Sequence, residues 1–249
     1  MSKDATVLLK VDRVTRAFGG FVAIDDISME IRSGELRCII GPNGAGKTTL
    51  FNVVSGQLRP SSGHVYFGGR DITRDSIEAI CNRGISRKFQ TPSIFTNITV
   101  IENILVGGYG RTKLSRHFFG MITDTDCRRA LEILERVKLE AKRDHLASSL
   151  SHGERQWLEI GMLLRSDPKL LLLDEPTAGM TPTETKDTAR LIRDNLGGIT
   201  TVVIEHDLKF LREIADQVTV LHRGRILAEG CFDEIEKDDQ VKRVYLGRE

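Results

Sequence analysis

Four side chains suited to phosphate and metal chemistry stand at the ends of two short motifs. Lys47 and Thr48 close the stretch Gly41, Pro42, Asn43, Gly44, Ala45, Gly46, Lys47, Thr48, Thr49, while Asp174 and Glu175 close the run Leu170–Leu173. In the first motif the glycines permit backbone angles that let successive N–H groups curl around a phosphate. Lys47 can then reach the outer phosphates, and the Thr48 hydroxyl is a hard oxygen for Mg²⁺. In the second, Asp174 suits a Mg²⁺ contact, direct or through water, and Glu175 can orient a water toward a terminal phosphate. Together they imply a nucleoside triphosphate site. The plainer alternatives are an ordinary strand-to-helix turn and two acids that cap a strand for solubility.

These residues need elements to hold them. Leu36–Ile40 is short, apolar and partly β-branched, so it predicts a buried strand ahead of the glycines. Thr48–Ser55 has helical spacing, with Gly56 placed to stop it. The helix beginning near Gly46 adds free N–H groups and the positive end of its dipole. Further strands are expected at Val7–Val14, Leu170–Leu173, Thr201–Ile204 and Val218–His222, and helices at Trp157–Leu164, Thr183–Asn195 and Leu208–Ile214. Strands alternating with helices imply an α/β core with a parallel sheet, and ligands of such sheets gather at the carboxyl ends of strands. From about Thr91 to Leu150 no strand signal appears, and Cys127, Leu131, Leu134 and Val137 are spaced to line one helix face. That stretch reads as a helical insertion.

The chain has 249 residues, 40% hydrophobic and 29% charged, with a formal net charge of +1. This composition fits a soluble globular protein and argues against a general nucleic-acid binder. No run approaches the roughly 18 apolar residues of a membrane helix, and MSKDATVLLKV lacks the apolar block of a signal peptide. The four cysteines, Cys38, Cys81, Cys127 and Cys231, share no metal-ligand spacing and are expected to be reduced, buried thiols of a cytoplasmic protein. Tyr109–Met121 mixes basic and aromatic residues, read as a loop or short helix with its rings tucked inward; Trp157 reads as a packed helix residue.

A third motif is LSHGERQWLEIGMLL, from Leu150. Ser151 followed by Glu154 has capping-box spacing, so a helix starts there, and its open N-terminus at Ser151 and Gly153 can meet an anion. The set GPNGAGKTT, KFQTP, LSHGERQ, LLLLDEP and VVIEHD, in that order over nearly the whole chain, resembles the ATP-binding subunit of an ABC transporter. GELRCIIGPNGAGKTT, SRKFQTPSIFTNITVIENI and PTAGMTPTET are similar to the ATPases of branched-chain amino acid-type importers, and best to those of bacterial urea importers.

The resemblance implies a P-loop NTPase, RecA-like α/β core with a parallel sheet, an N-terminal antiparallel β portion and an inserted α-helical subdomain. One ABC ATPase domain is expected over 1–249: residues 1–90 and 157–249 form the core, and 91–156 the helical subdomain with the signature motif. It further implies that Phe18 stacks on adenine with Ala23 beside it. By the same resemblance Gln90 is expected to sense the γ-phosphate and Mg²⁺, Glu175 to activate water and His206 to contact the γ-phosphate. Ser151 and Gly153 reach ATP held by a second ATPase subunit in a head-to-tail dimer. ATP and Mg²⁺ are the expected cofactors. The expected partners are transmembrane permease subunits, a second ATPase subunit (self or paralogue) and, indirectly, a periplasmic solute-binding protein. The expected location is cytoplasmic, peripheral on the inner face of the cell membrane. Three positions depart from the family pattern: His152 replaces a common glycine, Glu154 a glutamine and Thr181 an aspartate. Thr181 leads to the expectation of a poor homodimer and a paralogous partner.

Other readings share parts of this pattern. A soluble ABC ATPase of an assembly pathway, such as iron–sulfur cluster biogenesis, needs no membrane subunit. Chromosome-structure ATPases need a long coiled coil, for which the sixty or so residues between Gln90 and Ser151 leave no room, and translation factors need two tandem cores. A nucleotide kinase leaves LSHGE and IEHD without a role.

Overall fold

The computed structural model describes residues 6–88, 94–107 and 122–246. Its chain begins with two long antiparallel strands, β1 (Val7–Phe18) and β2 (Phe21–Arg32), then β3 (Leu36–Ile40) and helix α1 (Lys47–Val54). Strands β4 (Ser62–Phe67) and β5 (Arg70–Asp71) complete a four-stranded antiparallel sheet in the order β2-β1-β4-β5. Helix α2 (Ile77–Arg83) leads to β6 (Ile85–Arg87). Among the described residues, the α-helices α3 (Val100–Gly107), α4 (Asp124–Arg136) and α5 (His152–Leu164) follow. The chain returns through β7 (Leu170–Asp174), α6 (Pro182–Arg190) with a π turn at Leu191–Asn195, β8 (Thr200–Ile204) and α7 (Leu208–Ile214). It closes with β9 (Gln217–His222), β10 (Arg225–Gly230), α8 (Phe232–Lys237) and α9 (Asp239–Leu246).

The second sheet has six strands in the order β10-β9-β3-β8-β7-β6. All its pairs are parallel except β10 with β9, so the expected parallel sheet is mixed at one edge. Within β7, Leu170 and Leu172 face one core while Leu171 and Leu173 face the other. Cover on both faces is why this strand reads as an unbroken apolar run. One core holds α1 between the two sheets through Leu50, Phe51, Val53 and Val54; the other joins the sheet to α3, α4, α5 and α6.

The helices start where side chains can satisfy their free N–H groups. Thr123 with Asp126, Ser151 with Glu154 and Thr181 with Glu184 each form a capping box. In α4 the buried face is Ala130, Ile133 and Leu134, followed by Val137; Leu131 and Cys127 are only half-buried, so the face is rotated from the expected one. Helices α3 and α5 cross closely at Gly161, where an added Cβ would lie 2.7 Å from Ile104 Cδ1. A buried ion pair ties these helices to the sheet: Lys88 Nζ, just past β6, lies 3.5 Å from Glu159 Oε2 on α5.

The expectation for the cysteines needs correction. Only Cys38 is a buried thiol; Cys81 is exposed, and Cys127 and Cys231 are half-buried. Cys81 lies on α2, a short helix whose sole buried residue is Ile80. Burial, reinforced by the Glu205 carboxylate, pushes the Cys38 thiol up, keeping it protonated and inert. Trp157 is packed as expected, its indole N–H donating to Thr188 Oγ1 at 2.8 Å. Gln90 and Tyr109–Met121 lie outside the described residues. No helix among the described residues is long and apolar enough to cross a membrane.

Candidate active site

Strands β3, β7 and β8 end together, because the parallel register pairs Ile39 with Ile204 and Ile204 with Asp174. The glycine-rich turn, the two acids and His206 therefore emerge at one edge. Gly46 has φ +102, and a Cβ there would meet Ala23 O at 2.6 Å and Ile24 Cγ2 at 2.7 Å. No other residue fits, so Gly46 lets α1 start hard against β2. It caps α1 without a side chain, which leaves the helix N–H groups free for an anion. Lys47 Nζ folds back onto the loop, donating to Gly41 O at 2.6 Å and Pro42 O at 3.1 Å. Burial pulls the Lys47 amine below its usual range, and the nearby Glu175 and Asp174 carboxylates oppose that pull. Thr48 is exposed at the helix start.

Asp174 is 1% exposed. Burial raises its carboxyl above the usual range, Arg87 counters this and Glu175 adds to it. Its Oδ2 lies 3.4 Å from Arg87 Nη2, while its Oδ1 accepts no hydrogen bond. A buried carboxylate oxygen without a donor is costly, and a hard divalent cation suits it. The donor set of Asp174 and the Thr48 hydroxyl fits Mg²⁺, which takes few protein ligands and completes its shell with phosphate and water. Arg87, which the sequence reading missed, also donates to Asn52 Oδ1 at 2.6 Å and Ser55 Oγ at 3.1 Å, locking β6 to α1.

Glu175 stands at φ +47, a left-handed conformation costly to a non-glycine residue. Its N–H donates to Ile204 O at 2.9 Å and its carbonyl accepts from Ala178 N at 3.2 Å, so both sides of the strained residue are fixed. His206 is exposed, its N–H donating to Glu205 Oε2 at 3.1 Å. Phe18, at the tip of the β1–β2 hairpin, is 44% exposed, and the Arg16 guanidinium lies 4.6 Å from its ring centroid.

Ser151 and Gly153 have their partners on α6, not on the phosphate loop. Glu184 Oε1 accepts from Ser151 Oγ at 3.2 Å and from Gly153 N at 3.3 Å. The same carboxylate caps Thr181 through Oε2. Hydrogen bonds from the Thr181 amide and hydroxyl, supplemented by Gly153 and Ser151, hold Glu184 below the usual carboxylate range. Each departure from the family pattern has a partner. His152 Nε2 lies 2.9 Å from Ala178 O, Glu154 Oε1 accepts from Lys142 Nζ at 2.6 Å, and Thr181 caps α6.

Comparison with known proteins identifies the family. Residues 24–178 match the family model described as ABC transporter. The high-affinity branched-chain amino acid transport ATP-binding protein LivG of Salmonella typhimurium is 37% identical over 250 residues, covering 96% of this chain and 98% of that protein. The ADP conformation of MJ1267, an ATP-binding cassette of an ABC transporter, superposes with a TM-score of 0.87 at 34% identity, over 98% of this chain and 100% of that one. A dimeric post-hydrolysis structure of the cassette MJ0796, bound to ADP and Pi, gives a TM-score of 0.73 at 25% identity, over 90% and 99%. The chain therefore belongs to the ABC transporter family, as one of its ATP-binding, ATP-hydrolysing cassettes.

Proposed function

We propose that this cassette drives import of a small polar solute, a branched-chain amino acid or urea, from the inner face of the cell membrane. In this reading it pairs head to tail with a second cassette and docks on permease subunits fed by a solute-binding protein. The observation that carries the pairing is the division of labour within the chain. Lys47, Asp174 and Glu175 converge at the strand ends, while the anion donors Ser151 and Gly153 point to a carboxylate on α6. That carboxylate oxygen stands in for a phosphate oxygen, and a partner's ATP would take its place.

Each residue then has a role. The loop Gly41–Thr49 wraps the phosphates, Lys47 exchanges its carbonyl partners for phosphate oxygens, and Phe18 offers its ring to adenine. Thr48 and Asp174, with Gln90, would hold Mg²⁺, which would supply neutralisation of phosphate charge. Glu175 orients the attacking water, and His206 meets the γ-phosphate. Catalysis by positioning and charge stabilisation is the general pattern of phosphoryl transfer. The similarity to LivG supports a branched-chain amino acid; the resemblance of the three stretches to bacterial urea importers, within the same group, supports urea.

Reconstitution with the co-expressed permease and binding protein tests this. The expected result is ATP-dependent uptake of leucine-type amino acids or of urea into vesicles, abolished by Glu175→Gln. Purification of a fully active cassette that never associates with a membrane protein would contradict it.

A further inference from the structure

Glu205 is 1% exposed, at the end of an apolar strand where an unpaired charge would be costly. Three donors converge on it. Thr177 N donates to Oε1 at 3.0 Å, Thr177 Oγ1 makes a short bond to the same oxygen, and His206 N donates to Oε2 at 3.1 Å. His206 Nδ1 lies 3.7 Å from Oε2. One carboxylate thus holds the segment that follows Glu175 and the segment that carries His206. The β7–β8 ladder explains why it can. Its main-chain bonding continues one step past the strands, from Glu175 N to Ile204 O, and Glu205 supplies the next rung with its side chain. Pro176 cannot donate from its nitrogen, so the first amide available beyond Glu175 is that of Thr177.

We infer that Glu205 is a positioning residue for hydrolysis: it fixes the loop of the water-orienting Glu175 against the loop of the γ-phosphate contact His206, so that both face one phosphate. This rests on the roles proposed above for Glu175 and His206. The hydrogen bonds of Glu205 go to Thr177 and His206 and not to the phosphate loop or Phe18, so its contribution is to turnover and not to nucleotide affinity. Its two oxygens divide the work, one for each loop, and an amide cannot replace them. A glutamine keeps one acceptor but must turn an NH₂ donor toward either Thr177 or His206.

The test measures ATPase kcat and ATP affinity in the assembled transporter for Glu205→Gln, His206→Ala and the double variant. Glu205→Gln is expected to lower kcat roughly 10–100-fold, as loss of an orienting partner does. ATP affinity should stay unchanged, and Glu205→Gln should cost less in the His206→Ala background than in the wild-type chain. Equal loss of kcat in the His206→Ala background, or a loss of ATP affinity matching the loss of kcat, would overturn the inference. Should Glu205→Gln fail to fold, Thr177→Ala makes the same test from the opposite loop. It is expected to reduce kcat alone and less than additively with His206→Ala; full additivity would overturn the clamp. A His206→Ala chain with full kcat would instead refute the role given to His206, whatever Glu205→Gln does.

Discussion

The phosphate-loop edge and the signature-helix edge of this cassette contrast in what they lack. At the first, the chain supplies every protein group it needs and leaves room for a ligand: free N–H groups at α1, a lysine resting on carbonyls, and a buried Asp174 oxygen with no donor. At the second, donors aimed at an anion are already answered by the chain's own Glu184. In the function proposed above, one edge takes nucleotide alone, and the other stays quiet until something more strongly charged displaces a carboxylate. On the proposed reading, the difference teaches why binding would belong to one chain while hydrolysis would belong to two.

Four changes would break or sharpen that contrast. The largest effect is expected from Glu175→Gln. The amide keeps shape but cannot assist water, so kcat should fall by about 10²–10⁴-fold with ATP still bound; single-turnover hydrolysis and nucleotide binding measured together would show it. Lys47→Ala should come next, weakening ATP binding as well as turnover; an unchanged dissociation constant by calorimetry would remove Lys47 from the phosphate site. Phe18→Ala should cost about 1–3 kcal/mol of nucleotide affinity, and ATP and GTP should suffer alike because any purine offers a ring face. A loss confined to ATP would mean that Phe18 does more than stack. The smallest effect is expected from Glu184→Gln, which preserves a capping-box residue and removes the competing charge. In a Glu175→Gln background, ATP-driven pairing, read by sedimentation, should occur at a few-fold lower ATP concentration. Unchanged or weaker pairing would show that Glu184 does not guard the signature helix.

How far the sequence revealed these edges depended on where the partners lay along the chain. Strands β3, β7 and β8 were legible because burial on both faces makes them unbroken apolar runs, and α5 because Ser151 and Glu154 declare a capping box. Strand β2 was not among the expected strands: its outer face is exposed, and Asp25 and Asp26, the latter at φ +52, interrupt its pattern. The rotated face of α4 shows the limit of spacing alone, since Ala130, too small to stand out, is fully buried where Leu131 was expected. In the site, the dense motifs around Lys47 and Asp174 could be read directly. Arg87, Glu184 and Glu205 could not, because their partners lie 87, 31–33 and 28 residues away. A carboxylate closing an apolar strand, as Glu205 does in VVIEHD, was the one visible hint.

The claim that hydrolysis is shared between two chains is tested most directly by mixing two inactive variants. Ser151→Arg spoils the anion donors offered to a partner, and Glu175→Gln spoils the water-orienting carboxylate of a chain's own loop. A mixed pair then holds one site with both lesions and one with neither. ATPase activity measured across the mixing ratio, with pairing verified by cross-linking, is predicted to rise from near zero at either end to a maximum near equal amounts. Mixtures that pair yet stay inactive at every ratio, or a strictly monomeric chain that hydrolyses ATP at the full rate, would contradict it.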